Sequence, residues 1–233
     1  MSFQEMFSAG KCVLSFELFP PKSDAGVGEL MKTVDELDVH EPDFLTCTYG
    51  AGGSTRDRTL SIAANVRRKL GRPVASHLTC VGSTKDQLRQ YLAEAQTQGV
   101  DYIVALRGDP PKGETTFTPV DGGLQFASDL VKLIKEEFPH FGIAVAGYPE
   151  VHQEARDAQF DLDNLVRKVY AGADMVITQL FYDNDDFFRY RDRCEQAGIR
   201  VPIVPGLLPV LSLPQVQRIT TLCKAKLPAE LLS

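Results

Sequence analysis

The chain has 233 residues, 43% of them hydrophobic and 24% charged, which is enough for a substantial core in one large or two small domains. A net charge of −6 and a pI near 5.3 argue against nucleic acid or an anionic membrane surface as the main partner. No apolar run reaches the ~18 residues of a membrane span, the start lacks the regions of a signal peptide, and Cys12, Cys47, Cys80, Cys194 and Cys223 lie far apart with no Cys-x-x-Cys pair. Such cysteines read as reduced thiols of a cytoplasmic protein. Strand candidates begin near Val13, Asp43, Val74, Asp101, Gly142, Asp174 and Val201. Between them run helical patterns, such as Leu88, Leu92 and Ala95, or Leu162, Leu165, Val166 and Val169. Strict alternation of strand and helix predicts an α/β fold with parallel strands and right-handed crossovers. Seven units suit a (β/α)₈ TIM barrel better than a Rossmann domain. No composition shift marks a boundary, so residues 1–233 read as a single domain.

Several of these strands end in polar residues, at the end where parallel α/β folds place their ligands. The first strand, Val13 to Phe19, alternates so that Glu17 and Ser15 share a face pointing into the barrel near its rim. A poorly solvated carboxylate there has a raised pKa and suits a general acid; a glutamate paired with a neighbouring Arg is the plainer reading. The second strand, Phe44 to Thr48, runs into Tyr49-Gly50-Ala51-Gly52-Gly53-Ser54-Thr55-Arg56, which lacks the dinucleotide fingerprint spacing. That loop either lets backbone approach a ligand or is a capped turn. The third strand, Val74 to Thr79, ends with His77 as a ligand contact or a satisfied core histidine. No two of the four histidines have metal-ligand spacing, so no metal site is expected.

The fourth strand, Ile103 to Leu106, runs into Arg107-Gly108-Asp109-Pro110-Pro111, then into a long irregular stretch to about Leu124. Irregular loops of that length in a compact domain are usually functional or disordered. The fifth strand ends in Tyr148-Pro149-Glu150-Val151-His152. In the helix after it, Asn164, Arg167 and Lys168 share a face, which is either a solvated surface or a seat for an anion such as a pyrophosphate. The sixth strand ends in Thr178-Gln179, whose amide offers donor and acceptor to a flat heterocycle. The seventh, Val201 to Leu207, ends in Pro205-Gly206-Leu207-Leu208-Pro209.

Together these motifs resemble the methylenetetrahydrofolate reductase family. The matching stretches are Ser15-Phe16-Glu17-Leu18-Phe19-Pro20-Pro21, Thr48-Tyr49-Gly50, Arg56-Asp57-Arg58-Thr59 and His77-Leu78-Thr79-Cys80. They continue with Ala105-Leu106-Arg107-Gly108-Asp109, Tyr148-Pro149-Glu150-Val151-His152, Thr178-Gln179 and Pro205-Gly206-Leu207-Leu208-Pro209. The resemblance implies a flavoprotein oxidoreductase of one-carbon and methionine metabolism, reducing 5,10-methylenetetrahydrofolate with NAD(P)H through FAD in ping-pong fashion. It implies FAD contacts from Tyr49, Ala51, His77, Arg107, Gly108, Asp109, Ala127, Tyr148, His152, Asn164, Arg167 and Lys168. Glu17 matches the general acid, Asp109 the carboxylate beside flavin and pterin, Thr48 a nicotinamide contact, Gln179 a contact to either stacked ring, and Gln215 a folate contact.

Two features depart from the family pattern. Ile219 stands where some members carry an aromatic residue, and the chain stops at Ser233, where the spacing would start an eighth strand. The expectation is therefore a barrel of seven recognisable units with the eighth missing. A homo-oligomer is also expected. The rival readings are a flavin- or pterin-binding fragment without turnover, and a lyase or isomerase barrel using Glu17 and Asp109 as an acid–base pair.

Overall fold

The computed structural model describes residues 3–8, 10, 12–49, 56–110, 113, 114 and 116–231. Its elements alternate as the spacing predicts. In chain order they are α1 (Phe3–Ser8), β1 (Ser15–Leu18), α2 (Asp24–Asp38), β2 (Phe44–Cys47), α3 (Arg56–Leu70), β3 (Val74–Thr79), α4 (Lys85–Thr97) and β4 (Tyr102–Leu106). There follow α5 (Ala127–Glu137), β5 (Gly142–Gly147), α6 (Ala158–Tyr170), β6 (Met175–Thr178), α7 (Asn184–Gln196), β7 (Ile203–Val204) and α8 (Leu213–Cys223). The chain forms two compact units, one ending at Ala144 and one beginning at Val145, with β5 contributing residues to both.

In the first unit β1, β2, β3 and β4 pair in chain order, all parallel. Glu17 pairs with Thr46, Thr46 with Ala75, and His77 with Val104. Paired residues of parallel strands share a face and side chains alternate. Glu17, Thr46, His77 and Thr79 therefore line one side of the sheet. β2 and β3 are buried along their whole length, which explains their near-continuous apolar runs. Helices cover the other face: Leu88, Leu92 and Ala95 of α4 are buried, as are Leu130 and Ile134 of α5. α4 starts at a reciprocal cap, in which Thr84 Oγ accepts from Gln87 N–H and Gln87 Oε1 accepts from Thr84 N–H.

The first helix was not legible in the sequence. Its Phe3 is buried, stacks on Tyr102 with centroids 4.0 Å apart, and meets Phe44 edge-on at 5.7 Å. Phe44 and Tyr102 begin β2 and β4, so α1 closes the amino end of those strands, opposite the polar end.

In the second unit β5, β6 and β7 follow in chain order, with β6 and β7 parallel. α6 begins where Asp157 accepts from Phe160 N–H, and α8 where Ser212 accepts from Gln215 N–H. β1 and β7 are shorter than the sequence suggests: the ladder takes in only Ser15–Leu18 and Ile203–Val204. Among the described residues no helix is long and apolar enough to cross a membrane, and no group of three His, Cys, Asp or Glu side chains could hold a metal ion.

Candidate active site

At the carboxyl end of β1 to β4 the sheet face turns polar. Glu17 Oε2 lies 3.7 Å from His77 Nε2. Thr46, His77 and Thr79 are all buried, and Thr46 Oγ1, His77 Nε2 and Thr79 Oγ1 have no hydrogen-bond partner. Buried polar side-chain atoms are nearly always paired in folded proteins. Three orphans on one face of one sheet, beside a carboxylate, mark a surface shaped for a polar ligand.

Burial drives the His77 pKa down to about 4, so its imidazole is neutral. Burial also raises the Glu17 pKa. The sequence reading placed this carboxylate in poor solvation, but its side chain keeps 43% of its surface open, so the desolvation is partial. It stands at the rim because β1 ends at Leu18, one residue later. Cys47 is pushed up to about 12 by burial and then by the Glu17 charge, which leaves it an inert thiol.

The strand ends are held by their own backbone. Thr48 N–H donates to Leu18 O, and Thr48 O accepts from the buried Thr59 hydroxyl. Tyr49 leans edge-on against Tyr91, whose hydroxyl bonds Ser76. Past β3 and β4 the pairing continues, with Cys80 N–H to Leu106 O and Val81 N–H to Arg107 O. Gly108 then turns with φ +89°, and a Cβ there would lie 2.7 Å from Val81 Cγ1, so only glycine fits. Arg107 lies over the Phe117 ring at 5.0 Å and donates to Gly108 O. Asp109 is exposed beyond this turn, and Ala127 opens α5. The Ala51 assignment falls outside the described residues.

The second unit carries its own cluster. Lys168 Nζ donates to Ala146 O at 2.5 Å and lies 5.8 Å from the centre of the Tyr148 ring, which meets His152 edge-on at 4.6 Å. His152 N–H donates to Asp161, and His152 Nδ1 accepts from Glu154 N–H, which leaves its ring proton on Nε2. Packing lowers the Lys168 pKa to about 8, with Asp161 opposing the shift. Asn164, Arg167 and Lys168 do not all turn the same way in this structure. Arg167 is exposed and bonded to Asn164 Oδ1, whereas Lys168 turns to the end of β5. Gln179 Oε1 accepts from Leu180 N–H, and Gln215 is half-buried on the first turn of α8. A cavity of about 490 Å³ lined by Glu150, Asp186, Arg193 and Lys226 contains none of the candidate residues.

Sequence reasoning missed Thr46 and Thr79. The signal was available, since alternation puts Thr46 and Thr48 on one face, and His77 and Thr79 on one face. What the sequence could not supply was the register that sets Thr46 beside Glu17.

The chain matches the sequence profile of the methylenetetrahydrofolate reductase family over residues 2–233. It is 44% identical over 220 residues to the 5,10-methylenetetrahydrofolate reductase of Escherichia coli (strain K12), covering 94% of this chain and 72% of that protein. It is 42% identical over 238 residues to a probable methylenetetrahydrofolate reductase (NADH) of Oryza sativa subsp. japonica, covering 98% of this chain. The chain spans about two-fifths of that plant relative's length, 40%. Among solved structures, a protein from Clostridium thermocellum that binds two copies of 5-methyl-5,6,7,8-tetrahydrofolic acid superposes with a TM-score of 0.64 at 19% identity, over 97% of this chain and 75% of that one. That likeness supports the α/β fold with parallel strands in chain order. With the family profile matched from end to end and a relative covered over most of its length, the chain belongs to the methylenetetrahydrofolate reductase family.

Proposed function

We propose that this chain reduces 5,10-methylenetetrahydrofolate to 5-methyltetrahydrofolate with electrons from NAD(P)H, using FAD. The observation that supports this reading is the polar sheet face, where the half-exposed Glu17 carboxyl stands beside three buried side-chain atoms without hydrogen-bond partners, in a chain of this family. The residues present fit a flavin. Thr46 and Thr79 offer unsatisfied hydroxyls, Tyr49 a ring edge, and Gly108 a side-chain-free turn. In the second unit Tyr148, His152 and Arg167 fit a ring and an anion. Lys168 fits less well as an anion ligand in this geometry, because its ammonium is engaged by Ala146 O.

When bound, the flavin supplies a two-electron carrier between nicotinamide and folate. The chain's own residues handle protons and charge. Glu17, held partly desolvated at the strand end, donates a proton to the folate nitrogen that leaves the methylene bridge: its O–H breaks, an N–H forms, and Glu17 becomes a carboxylate. Asp109, exposed after the Gly108 turn, places a negative charge where the opened folate carries a positive one. Thr48, just past β2, is the proposed nicotinamide contact of the first unit, and Gln179, after β6, is the proposed ring contact of the second.

The test begins with the absorption spectrum of purified protein, where bound flavin is expected, and continues with stopped-flow traces of each half-reaction. Glu17→Gln should reduce flavin with NAD(P)H at near the parental rate and lose folate reduction by ~100-fold or more. Loss of both halves together would assign Glu17 to architecture, and flavin-free protein that does not bind added FAD would overturn the reading.

A further inference from the structure

Glu17 is the acid of the proposed reaction, so what holds its proton decides whether it can serve. Its register partner is Thr46, and the polar atom measured against its carboxyl is His77 Nε2 at 3.7 Å. That nitrogen is buried and has no other partner. At 3.7 Å the two atoms are beyond hydrogen-bond distance, and the half-exposed Glu17 side chain would close the gap by turning toward the ring.

We propose that His77 is the positioning residue for Glu17, its neutral Nε2 accepting the hydrogen bond of the protonated carboxyl and keeping the pair as carboxylic acid and imidazole rather than carboxylate and imidazolium. Three observations converge. A neutral imidazole accepts at one ring nitrogen, and Nε2 is the nitrogen that faces Glu17, whereas the hydroxyls of Thr46 and Thr79 can turn either way. The imidazole is too buried to hold a charge, while the carboxyl at the rim is not sealed off. Burial lowers the imidazole pKa to about 4 and raises that of the carboxyl, so it favours the neutral form of each. The other ionisable groups on β2 to β4 and just past their carboxyl ends are Cys47, Tyr49, Cys80, Tyr102, Arg107 and Asp109, with Tyr102 at the opposite end of its strand. Cys47 is uncharged, its pKa being about 12. After Glu17 gives up its proton, the Nε2 lone pair faces a carboxylate with nothing to donate, which favours reloading Glu17 from solvent.

This inference rests on the proposed reaction for its purpose but not for its test, which uses the full chain without added flavin. The Glu17 carboxyl is followed by isotope-edited infrared spectroscopy against pH, and the His77 ring by ¹⁵N NMR. In the parent, His77 Nε2 should show an unprotonated, hydrogen-bond-accepting nitrogen throughout the Glu17 titration. His77→Phe, which keeps the volume and removes the acceptor, should lower the Glu17 midpoint by about one pH unit. Thr46→Val should leave it within a few tenths. An imidazolium signal with an ionised Glu17, or a midpoint in His77→Phe that is unchanged or raised, would overturn the proposal. If His77→Phe does not fold, the parental ¹⁵N signal decides alone. A negative result here with intact Glu17→Gln kinetics would leave the reaction standing and remove only His77's part in it.

Discussion

The rings of Tyr148 and His152 meet edge-on at 4.6 Å because Val151, between them, takes a left-handed backbone conformation with φ +72°. Val151 N–H bonds Tyr148 O and completes the turn. A β-branched residue in that region is strained by roughly 1–2 kcal/mol, so the turn is held by what surrounds it: the His152–Asp161 bond, the Lys168 contact with Tyr148, and the bond from Lys226 N–H to Glu150.

Replacing Val151 with glycine should relieve that strain, while glycine's extra freedom in the unfolded chain returns about 0.5–1 kcal/mol. The expected net effect in a urea titration is between neutral and about 1 kcal/mol more stable. A clear loss of stability would show that the Val151 side chain contributes packing greater than its strain.

Gly147 ends β5 directly against Tyr190, where a Cβ would lie 2.0 Å from the hydroxyl oxygen and 2.7 Å from Val176 Cγ1. Gly147→Ala should therefore destabilise by about 2 kcal/mol or more. Tyr190→Phe removes the nearest atom and should restore part of the loss in a double-mutant cycle. Simple additivity of the two changes would place the clash elsewhere.

His77 also sets an acid limit. Its pKa is about 4 in the fold against an ordinary 6.5, so between those values the unfolded chain binds the proton and the folded chain does not. Stability is then fully kept above pH 6.5 and falls as the pH drops toward 4, by on the order of 3 kcal/mol at 1.36 kcal/mol per unit. Glu17, whose pKa is raised, works in the opposite sense and reduces the net slope. His77→Gln should flatten the fall between pH 6.5 and 4 in denaturant titrations taken across that range.

Arg167 and Lys168 should separate on substitution. Arg167→Ala touches an exposed guanidinium bonded to Asn164, and should weaken FAD retention several-fold with unfolding unchanged. Lys168→Met removes the bond to Ala146 O and should lower the melting temperature as well. Equal effects of the two on dialysis titration and melting would restore them to one common role.

Much of this was legible in the sequence, for physical reasons that vary by element. β3 falls on Val74–Thr79 as read, because a run buried on both faces leaves little choice of boundary. Helix faces such as Leu88–Leu92–Ala95 follow from periodicity alone. α1 escaped because six residues are too few to show a period, and its reason for existing is Tyr102, far along the chain. The separation of Lys168 from Arg167 escaped for another reason: helical spacing puts both on one face, but whether a long side chain turns to solvent or to a neighbouring carbonyl depends on what that neighbour is. Thr46 needed strand register, which no single strand encodes.

The stack of Phe3 on Tyr102 also sets a schedule for biosynthesis. At about 5–20 residues per second, Phe3 waits roughly 5–20 s on the ribosome before its partner is made. For that interval Phe3, buried in the finished fold, has only its edge-on partner Phe44 and not the ring it stacks on. Slowing translation between Phe44 and Tyr102 should lengthen the interval in which the Phe3 ring face stays unstacked.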